Sequence, residues 1–107
     1  MTSEAGLIWC PFADEESARE VIAGLLAERL IACGNILPGV QSLYFWHGAQ
    51  DSAGECGSLL KTSAPLLDRA MERLEALHPY DRPAVMGWLA ATTPATAQWL
   101  ETETAAK

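Results

Sequence analysis

Long apolar segments are missing from this chain, since no run approaches the roughly 18 consecutive apolar residues that a helix needs to span a bilayer. Basic residues are scarce: 7 Lys and Arg stand against 14 Asp and Glu, which gives a formal net charge of −7. Nucleic-acid binding requires clustered basic side chains, so this balance disfavours such a partner. We expect neither a membrane nor a nucleic acid among the partners of this protein.

Targeting and cysteine patterns are lacking as well. Met1–Ala5 has no basic segment followed by an apolar stretch, so a secretory signal is not expected and the cytoplasm is the predicted location. Cys10, Cys33 and Cys56 are widely spaced and form no Cys-x-x-Cys motif. This pattern is neither a disulfide framework nor a zinc knuckle, and it predicts free thiols in a reducing compartment.

Familiar catalytic and phosphate-binding motifs are missing too. The sequence has no Gly-x-Ser-x-Gly and no His-Glu-x-x-His, and Gly54–Gly57 lacks the Lys-Ser/Thr pair and the helix start of a phosphate loop. We therefore expect that the protein is not an enzyme.

Three helices are predicted from apolar residues at helical spacing. Good N-cap residues precede the first two, a Gly-Asn pair follows the first, and a proline stops the second. The predicted helices run from Asp14 to Gly34–Asn35, from Ser63 to Pro79, and from Pro94 to about Glu103.

Four segments predict strands, at residues 7–10, 36–45, 58–62 and 84–90, with a bend at Pro38–Gly39. Residues 48–57 hold three glycines and small polar side chains, so we expect a hairpin connection there. The order β-α-β-β-α-β plus a terminal helix predicts an α+β, ferredoxin-like sandwich. One domain is expected over residues 1–107, with frayed ends at 1–5 and 104–107.

Aromatic residues are the other prominent feature. Tyr44 and Trp46 are two residues apart on a predicted strand, so their side chains share one face of the sheet. Trp9, Trp88 and Trp99 add to an aromatic content that is large for so small a core. Surplus aromatic surface on a sheet is typical of a contact with a partner, and self-association is the simplest explanation.

Six short motifs, taken in order, resemble the CutA1 family of small divalent-cation-tolerance proteins. The resemblance implies a tight homotrimer, formed through the sheet edges, that binds divalent or soft metal ions and contributes to metal-ion tolerance. The motifs are the helix start Asp14–Ala18, Glu28–Cys33, Asn35–Val40, Ser42–Gly48 with its Tyr-x-Trp pattern, Leu60–Thr62 and Leu77–Tyr80.

The resemblance also carries over individual positions. Cys10 lies four residues before Asp14, which is the spacing of a cysteine implicated in copper binding in some bacterial members. Among the positions that depart from the family pattern, His47 replaces an acid, and Ala84 replaces a carboxylate proposed as a metal ligand. Loss of that carboxylate disfavours hard cations more than Cu(I), which soft ligands hold.

The candidate metal ligands are therefore Cys10 and His78, for copper or another divalent ion, because thiolate and imidazole suit copper. The alternatives are a small buried hydrophobic residue for Cys10 and a hydrogen bond to helix-end carbonyls for His78.

Polar and aromatic residues form a second candidate group, in a cleft or an interface between subunits. Lys61 and Asp81 are candidates for a polar cluster beside His78, to which Tyr80 donates its hydroxyl; a network that fixes subunit register is the alternative. His47 is either a second imidazole or a solvated residue. Tyr44 and Trp46 are either interface aromatics or a stacking platform for a ligand.

Two functions stay open besides that of a scaffold without a ligand. The first is the trimeric metal-tolerance protein. The second is a signalling or interaction module, similar to the PII-type regulators, that binds a small molecule or a protein in the cleft between subunits.

Overall fold

Residues 1–105, which the computed structural model describes, form four strands and three α-helices. The elements are strand β1 (Ser3–Trp9), helix α1 (Glu15–Ala27), strands β2 (Cys33–Trp46) and β3 (Ala49–Ser63), a 3-10 turn (Ala64–Leu66), helix α2 (Leu67–Leu77), strand β4 (Met86–Thr92) and helix α3 (Pro94–Thr104).

The four strands form one antiparallel sheet in the order β2-β3-β1-β4. Strand β1 is central, and its Leu7 lies opposite Lys61 of β3 and Trp88 of β4. The predicted α+β class is confirmed, with four antiparallel strands and three α-helices over the described residues.

Helices α1 and α2 cover one face of this sheet. Asp14 begins α1 by accepting a hydrogen bond from the backbone N–H of Ser17 at 2.8 Å, as its N-cap position predicts. The apolar side of each helix then packs onto the even-numbered residues of β1 and β3. The fully buried core side chains include Ile8, Phe12, Leu25, Ile31, Leu60 and Leu74.

The second face of the sheet is largely uncovered, and we call it the open face. Strand alternation places Leu7, Trp9, Leu59, Lys61, Met86 and Trp88 on it. Helix α3 covers only one end, where the Thr104 hydroxyl lies 3.2 Å from that of Ser63. Met86 keeps 63% of its surface exposed and Trp88 keeps 44%.

Helix α1 ends earlier than the sequence predicted. Its last helical residue is Ala27, whereas Gly34 lies in β2. The backbone N–H of Leu30 bonds to Leu25 O and that of Arg29 to Leu26 O, both at 3.0 Å. Arg29 adopts a φ of 59°, so it provides the left-handed turn that the Gly-Asn pair was expected to provide.

The β2–β3 hairpin is also longer than predicted. Only His47 and Gly48 form the turn, with φ values of 52° and 79°. Positive φ at both residues is what a two-residue type I′ turn requires. The segment 49–57, expected to be a connection, is the first part of β3. Cross-strand pairing with β2 outweighs the weak strand preference of its glycines and small residues. The bend predicted at Pro38–Gly39 is confirmed as a register shift between Leu37 and Val40.

The chain ends differ from the prediction as well. Ser3–Ala5 belong to β1 and Thr104 is the last residue of α3, so these residues are paired or helical and not frayed. Residues 106 and 107 lie outside the described part of the chain. Strand β4 begins two residues later than predicted, at Met86.

Candidate functional site

A cleft of about 530 Å³ lies between the free end of the β2–β3 hairpin and the loop that leads from α2 to β4. Its volume is within the usual range for sites that bind small molecules. We call it the cleft; its lining residues are Pro11, Ser42, Tyr44, Phe45, Trp46, Asp51, Ala53, Glu55, Tyr80, Asp81, Arg82 and Ala84.

Strand β2 supplies aromatic surface to the cleft. Ser42, Tyr44 and Trp46 alternate along β2, so all three side chains point to the same side. Tyr44 is 38% exposed and Trp46 is 46% exposed, so a large part of each ring is open to a partner. The shared face predicted for these two residues is confirmed.

Strand β3 and the loop between α2 and β4 supply charge. Asp51 lies opposite Tyr44 in the hairpin register, and Glu55 lies opposite Val40. The Tyr80 hydroxyl donates a hydrogen bond to Glu55 Oε2 at 2.7 Å. Burial, together with this bond and the charge of Glu55, raises the pKa of Tyr80, so its hydroxyl keeps its proton.

Asp51 and Glu55 are cleft residues that the sequence analysis missed. They lie in the segment that was expected to be a glycine-rich connection, where side chains have no fixed direction. The Asp51-x-Ala53-x-Glu55 spacing is the signal that identifies them, because alternate residues of a strand share one face.

Cys10 lies behind the cleft wall, next to Pro11, and is fully buried. Its backbone N–H and C=O pair with Ser58 at 3.1 and 3.0 Å. Burial, with a smaller effect from the negative charge of Glu55, raises the pKa of the Cys10 thiol to about 12. The thiol is therefore neutral at physiological pH, and Cys10 packs as a small apolar residue within the single chain.

His78 is buried beside it, and both ring nitrogens are hydrogen-bonded. Nδ1 accepts the backbone N–H of Tyr80 at 3.0 Å, so Nε2 carries the proton and donates it to Pro11 O at 2.9 Å. The ring also stacks on Phe12, with centroids 4.2 Å apart. Burial lowers the pKa of His78, which favours the neutral imidazole.

Residues 1–105 contain no group of three or more His, Cys, Asp or Glu side chains placed to hold one metal ion. Cys10 and His78 therefore offer at most a pair of soft ligands, each of which must first give up a proton or a hydrogen bond.

The remaining predicted residues lie in different places. Asp81 lines the cleft, but Lys61 lies on the open face, and within the described chain these two residues form no ion pair. The Tyr80 hydroxyl donates to Glu55, whereas the sequence predicted a cluster of Lys61, Asp81 and His78 as its partner. His47 lies at the exposed hairpin turn, where its ring forms a T-shaped contact with Trp46 at a centroid distance of 4.8 Å. Cys56, which lies in the segment that was expected to be a hairpin connection, is buried opposite Phe12.

No helix within residues 1–105 combines the length and the apolar character needed to cross a membrane.

Comparison with known proteins gives a consistent result. The family model described as CutA1 divalent ion tolerance protein matches residues 6–103. The divalent-cation tolerance protein CutA of Pyrococcus horikoshii is 41% identical over 80 residues, which cover 75% of this chain and 78% of that protein.

Solved structures agree with the sequence comparison. A crystal structure of CutA from Xylella fastidiosa has a TM-score of 0.89 and 36% identity, and the match covers 96% of this chain and 100% of that one. A more distant structure, from Archaeoglobus fulgidus, is described as a periplasmic divalent cation tolerance protein CutA. It has a TM-score of 0.87 at 22% identity, covers 94% of this chain and 99% of that one, and shares the fold.

Proposed function

Because the chain belongs to the CutA1 family of divalent ion tolerance proteins, we propose that it is a homotrimer of ferredoxin-like subunits that binds divalent or soft metal ions, copper among them. The proposal places it in the cytoplasm and gives it no catalytic step. Family membership supports the role in metal-ion tolerance. None of the comparisons favours the signalling alternative.

The open face supports the trimer. A sheet normally buries its apolar face against another layer of structure. Here helix α3 covers only one end of the open face. Trp9, Trp88, Leu7 and Leu59 form a continuous apolar surface across the three strands β3, β1 and β4. Contact with two further copies would remove this surface from water.

The metal part of the proposal depends on Cys10. Cu(I) prefers thiolate and imidazole ligands, and Cys10 and His78 present one of each beside Pro11. Since one chain provides no group of three ligands within residues 1–105, the complete site uses two soft ligands or a third from another subunit.

A Cu(I) competition titration against a chromophoric chelator, under anaerobic and reducing conditions, tests this site. Wild type is compared with Cys10→Ser, and Cys33→Ser is the matched control because it removes a different free thiol. We expect stoichiometric binding that is lost only in Cys10→Ser. Copper must displace the thiol proton, because a pKa of about 12 keeps the Cys10 thiol protonated near neutral pH. The affinity should therefore rise about tenfold per pH unit near neutrality.

Binding that is unchanged in Cys10→Ser would refute the Cys10 site. Binding that does not depend on pH would show that no thiol proton is released. The trimer is tested separately, by light scattering of the wild-type protein, and a monomer at micromolar concentration would refute it.

A further inference from the structure

We propose that the cleft binds a small organic cation, namely a protonated amine that carries an apolar body. The inference is independent of the copper site, because it uses the lining of the cleft and requires neither Cys10 nor His78. Asp51, Glu55 and Arg82 join the previously predicted Tyr44, Trp46 and Asp81 in this lining.

The charges that line the cleft select the sign of the ligand. Asp51, Glu55 and Asp81 contribute three carboxylates, and Arg82 contributes the one guanidinium in the lining. The chain as a whole carries a formal charge of −7. A cation is attracted to such a cleft and an anion is repelled by it.

The aromatic lining selects an organic cation. The faces of Trp and Tyr rings attract ammonium groups, and they also bury apolar groups. Tyr44 and Trp46 lie on the same side of β2, and Asp51 is directly opposite Tyr44 on β3. A ligand in the cleft thus meets a ring and a carboxylate at neighbouring positions.

The spacing of the carboxylates disfavours a bare metal ion. Divalent cations require several oxygen ligands at about 2.0–2.6 Å from one point. The described residues contain no group of three acidic, His or Cys side chains placed in that way. Carboxylates spread around a cleft of about 530 Å³ instead suit a larger cation with several N–H groups.

Tyr80 positions one of these carboxylates. Its hydroxyl bonds to Glu55 Oε2 at 2.7 Å, and within residues 1–105 the other oxygen, Oε1, has no hydrogen-bond donor. That oxygen is available to accept an N–H from the ligand. Tyr80 therefore orients the Glu55 carboxylate, and this carboxylate can still accept a further hydrogen bond.

Calorimetric titration of the wild-type protein with 2-phenylethylamine tests the proposal, with 2-phenylethanol as the neutral probe of nearly the same shape. We expect the amine to bind and the alcohol to bind at least about tenfold more weakly, because only the amine forms charge-assisted hydrogen bonds. Asp51→Asn and Trp46→Leu should each weaken amine binding measurably, by about threefold to tenfold. Asp68→Asn, on the exposed surface of α2, is the matched control and should leave the affinity unchanged.

Three outcomes would overturn the proposal: no amine binding, equal binding of the amine and the alcohol, or amine binding that neither Asp51→Asn nor Trp46→Leu weakens. A cleft filled by a neighbouring copy would give the first of these. Because the titration contains no metal and leaves Cys10 intact, its failure is distinct from failure of the copper site.

Discussion

At the scale of single residues, the ring of His78 makes three contacts that join the segment after β1 to the cleft loop. It bonds to Pro11 after β1, accepts the N–H of Tyr80 in the cleft loop, and stacks on Phe12. All three contacts use the neutral imidazole with its proton on Nε2. Protonation of Nδ1 would place two donors against each other, so the charged form is disfavoured in the folded state.

This arrangement predicts a loss of stability in mild acid. The folded-state pKa of His78 is lowered from 6.5, so the unfolded chain takes up a proton first as the pH falls. The stability that His78 contributes is complete above about pH 6.5 and is lost progressively below it. His78→Gln, whose amide can donate to Pro11 O, should reduce the pH dependence of urea unfolding between pH 7 and about 5.

His47→Gln is the matched control, because His47 is the only other histidine and lies exposed at the hairpin turn. It should retain the wild-type pH dependence. An equal change in both variants would show that the pH dependence does not come from His78.

Single residues differ in how well the sequence specifies them. The shared face of Tyr44 and Trp46 was predictable because strand alternation is local and strict. The bonding of His78 was not, because its partners Pro11 and Tyr80 meet only after β1 and the cleft loop have folded together. Glu55 was missed because its strand was interpreted as a loop.

At the scale of secondary structure elements, close packing of α1 against β2 depends on Gly34. A Cβ atom placed on Gly34 would lie 2.7 Å from Ile22 Cγ2 and 3.1 Å from Leu60 Cδ2. Both neighbours are buried, so neither has room to move away. The role of this glycine is therefore to permit close approach of helix and strand, and not to end the helix as its sequence context suggested.

Gly34→Ala should destabilise the protein by about 1–3 kcal/mol through overpacking, as measured by urea unfolding at a fixed protein concentration. Gly54→Ala is the control within the same hairpin, since nothing lies within 4 Å of its added Cβ. It should be neutral or slightly stabilising. Equal effects at the two sites would mean that backbone flexibility, and not space, determines the outcome.

The lengths of elements were less predictable than their order. Apolar periodicity and caps identified each helix, but the end of α1 depends on a left-handed Arg29, for which the sequence carries no local signal. The start of β3 depends on hydrogen bonds to β2, and the strand propensities of its residues do not predict these bonds.

At the scale of the whole molecule, the open face is the surface through which we propose that copies associate. If trimer formation buries this face, a charge there should prevent assembly without unfolding the subunit, because Trp88 is already 44% exposed in the single chain. Trp88→Glu should therefore shift the mass measured by light scattering from trimer to monomer.

Leu26→Glu is the matched control, since Leu26 is 39% exposed on the outer side of α1, away from the open face. It should remain a trimer. A Trp88→Glu variant that keeps its trimeric mass would place the subunit interface elsewhere.

The central position of β1 also has a consequence for synthesis of the protein. Its two neighbours in the sheet, β3 and β4, are both distant in sequence, and Leu7 pairs with Trp88 near the other end of the chain. The β2–β3 hairpin closes through a two-residue turn and costs little loop entropy, whereas β1 must wait for long loops to close. On the ribosome, a nascent chain that stops before Met86 leaves β1 with an unpaired edge, so the sheet is completed only after β4 has been synthesised.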